Sequence, residues 1–272
     1  EKEKNRDLNI IDSPAFRIIM VSEFKINSLI NSNQLKNKLL EFNILSTELV
    51  KHSDGRVVKQ NSDGLLVSFS SASKAVNCAR KIQSRLKEFM ESDDDQKLNL
   101  KISLCGGVPV TDNNGLFEDS IKFAERVCET IKGQIIISSE VKDLFESENL
   151  NSLKNEDFIY ALCPSDEKFI NLLLDYTEQI WNKTDLKIDD FCEHLGISKS
   201  QLYRIMVRLN GKSLNVFLKE YRLNKALKLL HKQTGNISEI AFETGFNSPA
   251  YFSKCFQETF GILPSNLQKQ LA

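Results

Sequence analysis

Apolar residues in the last third of the chain recur at intervals of three and four, the spacing of helices that bury one face, and this pattern occurs twice at an offset of about fifty residues. In the first copy Ile188, Phe191, Cys192 and Leu195 form one stripe, and Gly196 supplies the left-handed turn that ends the helix. Ser198 then caps a second helix with the stripe Leu202, Ile205, Met206 and Leu209. In the second copy Ile237, Ile240, Ala241 and Thr244 precede Gly245, and Asn236 with Glu239 forms a capping-box-like pair. Asn247 and Ser248 are cap candidates for the next helix, Pro249 suits its first turn, and Phe252, Cys255, Phe256 and Phe260 line its inward side. A single helical pattern from Ser213 to His231 joins the copies, with Phe217, Tyr221, Ala226, Leu227 and Leu230 available for burial.

Upstream the period changes from element to element. Strands are predicted at Phe16–Phe24, Leu98–Gly106, Gln134–Ser138 and Phe158–Leu162, and a hairpin at Arg56–Gln60 and Leu65–Phe69 around Asn61-Ser62-Asp63-Gly64. Helices are predicted at Asn31–His52, Ser73–Met90, Asp119–Ile131 and Glu140–Phe145. This order predicts an α+β sheet with helices on one side. Cys163-Pro164-Ser165-Asp166 reads as the boundary, with a helix over 167–182 opening the second part. Two domains are therefore expected, α+β over 14–163 and all-α over 166–272.

The outward faces of the second helix in each copy point to a function. Lys199, Ser200, Tyr203, Arg204, Val207 and Arg208 lie opposite the first stripe, and Ala250, Tyr251, Ser253, Lys254 and Gln257 opposite the second. Two helix-turn-helix units on one chain imply a reader of double-stranded DNA, and helices entering successive major-groove faces would stand about 34 Å apart. Global charge does not suggest this, with 36 basic and 37 acidic residues in the chain. Local charge does, because residues 196–232 hold nine basic side chains (Lys199, Arg204, Arg208, Lys212, Lys219, Arg222, Lys225, Lys228, Lys232) against Glu220 alone. Such a segment is expected to contact phosphates, which sets register and makes affinity salt dependent. Arg204 is the candidate for base readout, since a guanidinium pairs bidentately with guanine.

These features coincide in a known pattern. The block from Asp166 onward, including GFNSPAYFSKCFQETFGILPS at 245–265, resembles the DNA-binding domain of AraC-type transcription regulators. The resemblance implies that Ser200, Tyr203 and Arg204 face bases from the first reading helix, and Ala250, Tyr251 and Lys254 from the second. Lys199, Arg208 and Ser248 complete the expected DNA-facing set.

The upstream part resembles a class III adenylate or guanylate cyclase domain through GRVVKQNSDGLLVSFSSASKAVNCARKIQ at 55–83, LKISLCGGVPV at 100–110 and DSIKFAERVCETIKGQIIISSEVKDL at 119–144. The resemblance implies a ferredoxin-like sheet, metal binding (magnesium or manganese) by carboxylates at Glu23 and Asp63, and nucleotide contacts from Lys59 and Arg126. The family pattern is broken in several places. Glu23 replaces an aspartate, Ser62 and Glu118 replace glycines, Lys122 replaces an asparagine, and Gly115 falls where an acidic residue reads the purine. A non-catalytic domain is therefore expected, one that senses a nucleotide-like ligand, pairs two chains as a homodimer, or both. Two alternatives stay open: an active cyclase fused to a DNA-binding module, and an adaptor whose cyclase-like domain holds a protein partner.

The remaining features narrow the setting. Six cysteines stand singly in apolar stretches without a CxxC pair, as buried thiols do in a reducing cytoplasm. No apolar run approaches membrane-spanning length, EKEKNRD lacks a signal-peptide core, and a start at Glu1 fits a piece of a longer protein. A cytoplasmic location without a membrane partner is expected.

Overall fold

The structure is a computed structural model that describes residues 16–26, 33–61, 64–89, 98–107, 117–149 and 158–271. The chain forms two compact units, one containing Asn31–Glu167 with most of the first strand, the other containing Lys168–Ala272. In the first unit the elements run β1 (Arg17–Ile26), α1 (Asn33–His52), β2 (Arg56–Asn61), β3 (Gly64–Phe69), α2 (Ala72–Phe89), β4 (Leu98–Gly107), α3 (Glu118–Thr130), β5 (Ile135–Ile137), α4 (Ser139–Glu148) and β6 (Ile159–Ala161). They build a six-stranded sheet in the order β2-β3-β1-β4-β5-β6. The pairs β2–β3 and β3–β1 are antiparallel, and β4–β5–β6 are parallel.

Helices cover both faces of this sheet, not one. In β1, Ile18, Met20 and Phe24 enter the core under α1, α2 and α4, whereas Ile19 and Val21 pack with Phe117, Ala124 and Cys128 around α3. Apolar residues occupy both parities of β1, so each face of the strand must be covered. Phe42 of α1 meets Phe24 edge-on at 5.6 Å and is buried, worth about 1.5–3 kcal/mol of transfer free energy.

Two polar devices hold the sheet unit together. Where β1 and β3 pair, Ser22 Oγ accepts the Leu65 N–H at 3.1 Å, and a Cβ on Gly64 would lie 1.8 Å from the Ser22 carbonyl oxygen. Only glycine allows that approach. At the end of α4, Glu148 accepts the Ser71 hydroxyl at 2.7 Å, the Ala72 N–H at 3.1 Å and the Ser73 N–H at 2.8 Å, satisfying donors at the start of α2. Cys78, Cys105, Cys128 and Cys255 are buried thiols outside any disulfide, as expected, but Cys163 is exposed and Cys192 half-buried. Burial pushes the Cys78 and Cys105 thiols up.

The helical elements are α5 (Pro164–Ile180), α6 (Ile188–Leu195), α7 (Lys199–Leu209), α8 (Leu214–Lys232), α9 (Ile237–Glu243), α10 (Pro249–Phe260) and α11 (Pro264–Leu271). Helix α5 starts earlier than its predicted 167, because a proline at the first helical position loses no hydrogen bond. Leu223, Ala226 and Leu230 of α8 share one core with Ile240, Ala241, Phe246, Phe252, Cys255, Phe256, Phe260 and Leu267. No described helix is long and apolar enough to cross a membrane.

Candidate nucleic-acid interface

Local sequence builds each half of the interface. Gly196 ends α6 at φ 65°, and Ser198 then caps α7, its hydroxyl accepting from the Gln201 N–H at 3.3 Å while Gln201 Oε1 accepts the Ser198 N–H at 3.0 Å. Leu202, Met206 and Leu209 are buried and Ile205 is half-buried. Their burial turns Lys199, Ser200, Tyr203, Arg204 and Arg208 outward, and all five are exposed.

The second half repeats this construction. Asn236 caps α9 through the Ser238 and Glu239 N–H groups, each at 3.0 Å, and Glu239 returns a bond to the Asn236 N–H at 2.9 Å. Gly245 turns the chain at φ 78°, Ser248 caps α10 by accepting the Tyr251 N–H at 3.3 Å, and Pro249 occupies the first turn. With Phe252, Cys255, Phe256 and Phe260 buried, Ala250, Tyr251 and Lys254 are exposed, and Ser248 is half-buried with its hydroxyl engaged in the cap. A hydrogen bond with the Cys255 thiol holds the Tyr251 phenol above its ordinary pKa. Beside the start of α10 lies a cleft of about 480 Å³, lined among others by Leu186, Asn215, Val216, Lys219, Arg222 and Tyr251.

The nine basic residues of 196–232 do not all face outward in one role. Arg204 and Arg208 are exposed on α7. Lys212 Nζ is held by Glu220 at 2.6 and 2.8 Å, Lys225 Nζ sits 5.1 Å over the Tyr221 ring and 5.7 Å over that of Trp181, and Arg222 donates to three backbone carbonyls. These three serve the fold. Lys199 pairs with Asp189 of α6 at 2.7 Å, which raises its pKa, and Lys254 lies 4.0 Å from Glu258. A sequence count gives every cation equal standing, whereas the structure commits Lys212, Arg222 and Lys225 to contacts within the fold.

The residues implied by the cyclase resemblance are less fully placed. Glu23 is half-buried on β1 and stands across from Gly64 in the β1–β3 register, and Asp63, Ser62 and Gly115 lie outside the described residues. Lys59 is exposed on β2, opposite Leu66 of β3. Arg126 is half-buried on α3, whose first turn carries Glu118 and whose exposed side carries Lys122. Among the described residues no group of three or more His, Cys, Asp or Glu is arranged to hold a metal.

Comparison with known proteins bears on the helical unit. The family model described as a helix-turn-helix domain matches residues 191–270. The probable transcription factor PqrA of Proteus vulgaris is 31% identical over 104 residues, which are 38% of this chain and 85% of that protein. The chain belongs to the AraC-type helix-turn-helix family. Helices α7 and α10 of this AraC-type chain both lie inside the matched span. A histidine kinase P4 of Formosa agariphila is 33% identical over 105 residues, which are 39% of this AraC-type chain and 8% of the kinase. The chain likewise spans about a third of the length of other regulators it matches. A crystal structure of an adenylate/guanylate cyclase/hydrolase from Silicibacter pomeroyi overlaps 49% of this chain and 80% of that one at 22% identity and a TM-score of 0.43. That overlap is too slight to assign chemistry to the sheet unit.

Proposed function

We propose that this chain is a sequence-specific DNA-binding transcription regulator whose helices α7 and α10 enter successive major-groove faces of double-stranded DNA. One observation carries the reading. Tyr203 and Tyr251 are 59% and 57% exposed beside Arg204 and Lys254, over stripes in which Leu202 and Phe252 are at most 1% exposed. Large aromatic side chains left in solvent next to cations on two equivalent helices are what a nucleic-acid surface displays before its partner arrives. Lys199, Ser200, Arg208, Ser248 and Ala250 complete the contact surface, with Arg204 as the base reader and Lys199 on phosphate. Such a partner implies a cytoplasmic location.

The sheet unit, in this reading, regulates and pairs subunits without catalysis. Support comes from α3, where the exposed Lys122 and Glu118 stand at positions that the cyclase pattern gives to asparagine and glycine. This reading keeps Lys59 and Arg126 as the nucleotide contacts, and Glu23 with Asp63 as the ligands for magnesium or manganese. A homodimer would bring two pairs of reading helices to repeated half-sites and multiply affinity through effective concentration.

Two titrations test this. Fluorescence anisotropy of the full chain on a duplex that it selects from a random library should show tighter binding than on the scrambled duplex. Calorimetry with ATP or GTP and manganese should give no cyclic nucleotide on mass spectrometry. A cyclic product that vanishes in Asp63→Ala would instead make the chain an active cyclase.

A further inference from the structure

Arg222 belongs to the basic segment, yet its guanidinium faces protein. Its Nε donates to the Trp181 carbonyl at 2.7 Å, one Nη to the Gly245 carbonyl at 3.0 Å and the other Nη to the Lys183 carbonyl at 2.5 Å. Burial pulls its pKa below the ordinary guanidinium value, and an arginine stays charged nonetheless. Trp181 and Lys183 follow α5 on the path into α6, and Gly245 is the turn between α9 and α10. One side chain on α8 thus bonds the lead-in of the first helix-turn-helix and the turn of the second.

Its surroundings are shaped for this task. Gly245 sits at φ 78°, and a Cβ there would come within 3.0 Å of the Arg222 Nε and Cζ and within 2.9 Å of the Asn182 carbonyl oxygen. A side chain at 245 would push the guanidinium off its carbonyl. The Trp181 ring packs against Tyr221 at 6.3 Å, beneath the Lys225 ammonium at 5.7 Å. On the same segment, Tyr176 stacks on His194 at 3.9 Å and meets Phe191 edge-on at 5.1 Å, which ties α5 to α6. At the other end, α8 shares its core with α9 and α10.

We infer that Arg222 is a positioning residue that fixes the two helix-turn-helix motifs relative to each other and so makes half-site spacing a determinant of specificity. The inference rests on the DNA-reading function proposed above. A reader with two rigidly joined helices gains from both only when the half-sites stand at the matching separation. A looser joint accepts several separations and binds each less well. One added base pair moves a half-site by about 3.4 Å and turns it by about a tenth of a helical turn. Lysine at 222 keeps the charge but lacks the planar fork that serves three carbonyls from fixed directions.

The test uses the full chain and the duplex that the wild type recovers from a random library. Derivatives of that duplex carry one base pair added or removed between half-sites, or one half-site scrambled. Wild type should lose about tenfold or more on the shifted duplexes. Arg222→Lys and Arg222→Gln should bind the parent duplex about tenfold more weakly, and the shifted duplexes within about threefold of the parent. Binding to the single half-site should stay within about twofold of wild type. Trp181 fluorescence reports folding, and the lysine variant carries the test if the glutamine variant does not fold. Retention of the wild-type spacing penalty would overturn the inference, as would equal losses on single and paired half-sites. A wild type that recovers no preferred duplex would overturn the DNA-reading function itself, and the Arg222 inference with it.

Discussion

If α7 meets DNA as proposed, the ion pair between Lys199 and Asp189 competes with phosphate for the ammonium. Lys199 Nζ lies 2.7 Å from Asp189 Oδ1, with the two side chains 62% and 66% exposed, so DNA phosphate must displace the carboxylate to gain the ammonium. Exposed pairs of this kind are weak, and removing the carboxylate in Asp189→Asn should raise DNA affinity by about 1.5- to 5-fold. Lys199→Ala should remove one phosphate contact and flatten the slope of log affinity against log salt by about 0.9, which corresponds to roughly 3.5-fold between 50 and 200 mM. The loss should be larger in the Asp189→Asn background, where no internal pair is given up on binding. Anisotropy titrations of the four proteins at several salt concentrations, on selected and scrambled duplexes, measure all of this. Asp189→Asn binding no tighter than wild type would refute the competition, and an unchanged salt slope in Lys199→Ala would remove Lys199 from the phosphate-contacting set.

Three further outcomes are expected. Arg204→Ala should relax discrimination at one base position by about 1–3 kcal/mol while changing random-DNA affinity only by its charge, read by competition with single-base variants. Gly64→Ala should destabilise the sheet unit by about 2–4 kcal/mol in urea melts, because the new Cβ lies 1.8 Å from the Ser22 carbonyl oxygen and must part β1 from β3. Burial pushes the Glu148 carboxyl up, but its bonds from Ser73, Ser71 and Ala72 outweigh that and hold its folded pKa below the ordinary value. Its stabilisation is therefore present above the unfolded carboxylate value near pH ~4.3 and is lost as pH falls through the folded value. Glu148→Gln should cost about 0.5–1 kcal/mol at pH 7 and reduce the acid sensitivity of the melting temperature.

What the sequence disclosed was mostly local. Ser198, Asn236 with Glu239, and Ser248 before Pro249 act within a few residues, so caps and stripes together located α6, α7, α9 and α10 and the outward side of α7 and α10. Contacts between distant segments were not legible. Glu148 caps a helix more than seventy residues earlier in the chain, and Lys212 finds Glu220 across the bend into α8. Arg222 reads as surface charge until the turn at Gly245 is folded against it. The second covered face of the sheet did leave a signal, since Ile18 and Met20 alternate with Ile19 and Val21 in one strand. Helix α11 begins at Pro264, the proline of Phe260-Gly261-Ile262-Leu263-Pro264, and joins the core through Leu267.

The most direct measurement is selection of duplexes from a random library by the full chain, followed by anisotropy on the recovered sequence and its scrambled counterpart. The account predicts a bipartite consensus with centres about 10 base pairs apart, bound about 10³-fold or more tightly than the scrambled duplex. Recovery of no consensus, or equal affinity for the two duplexes, would contradict it.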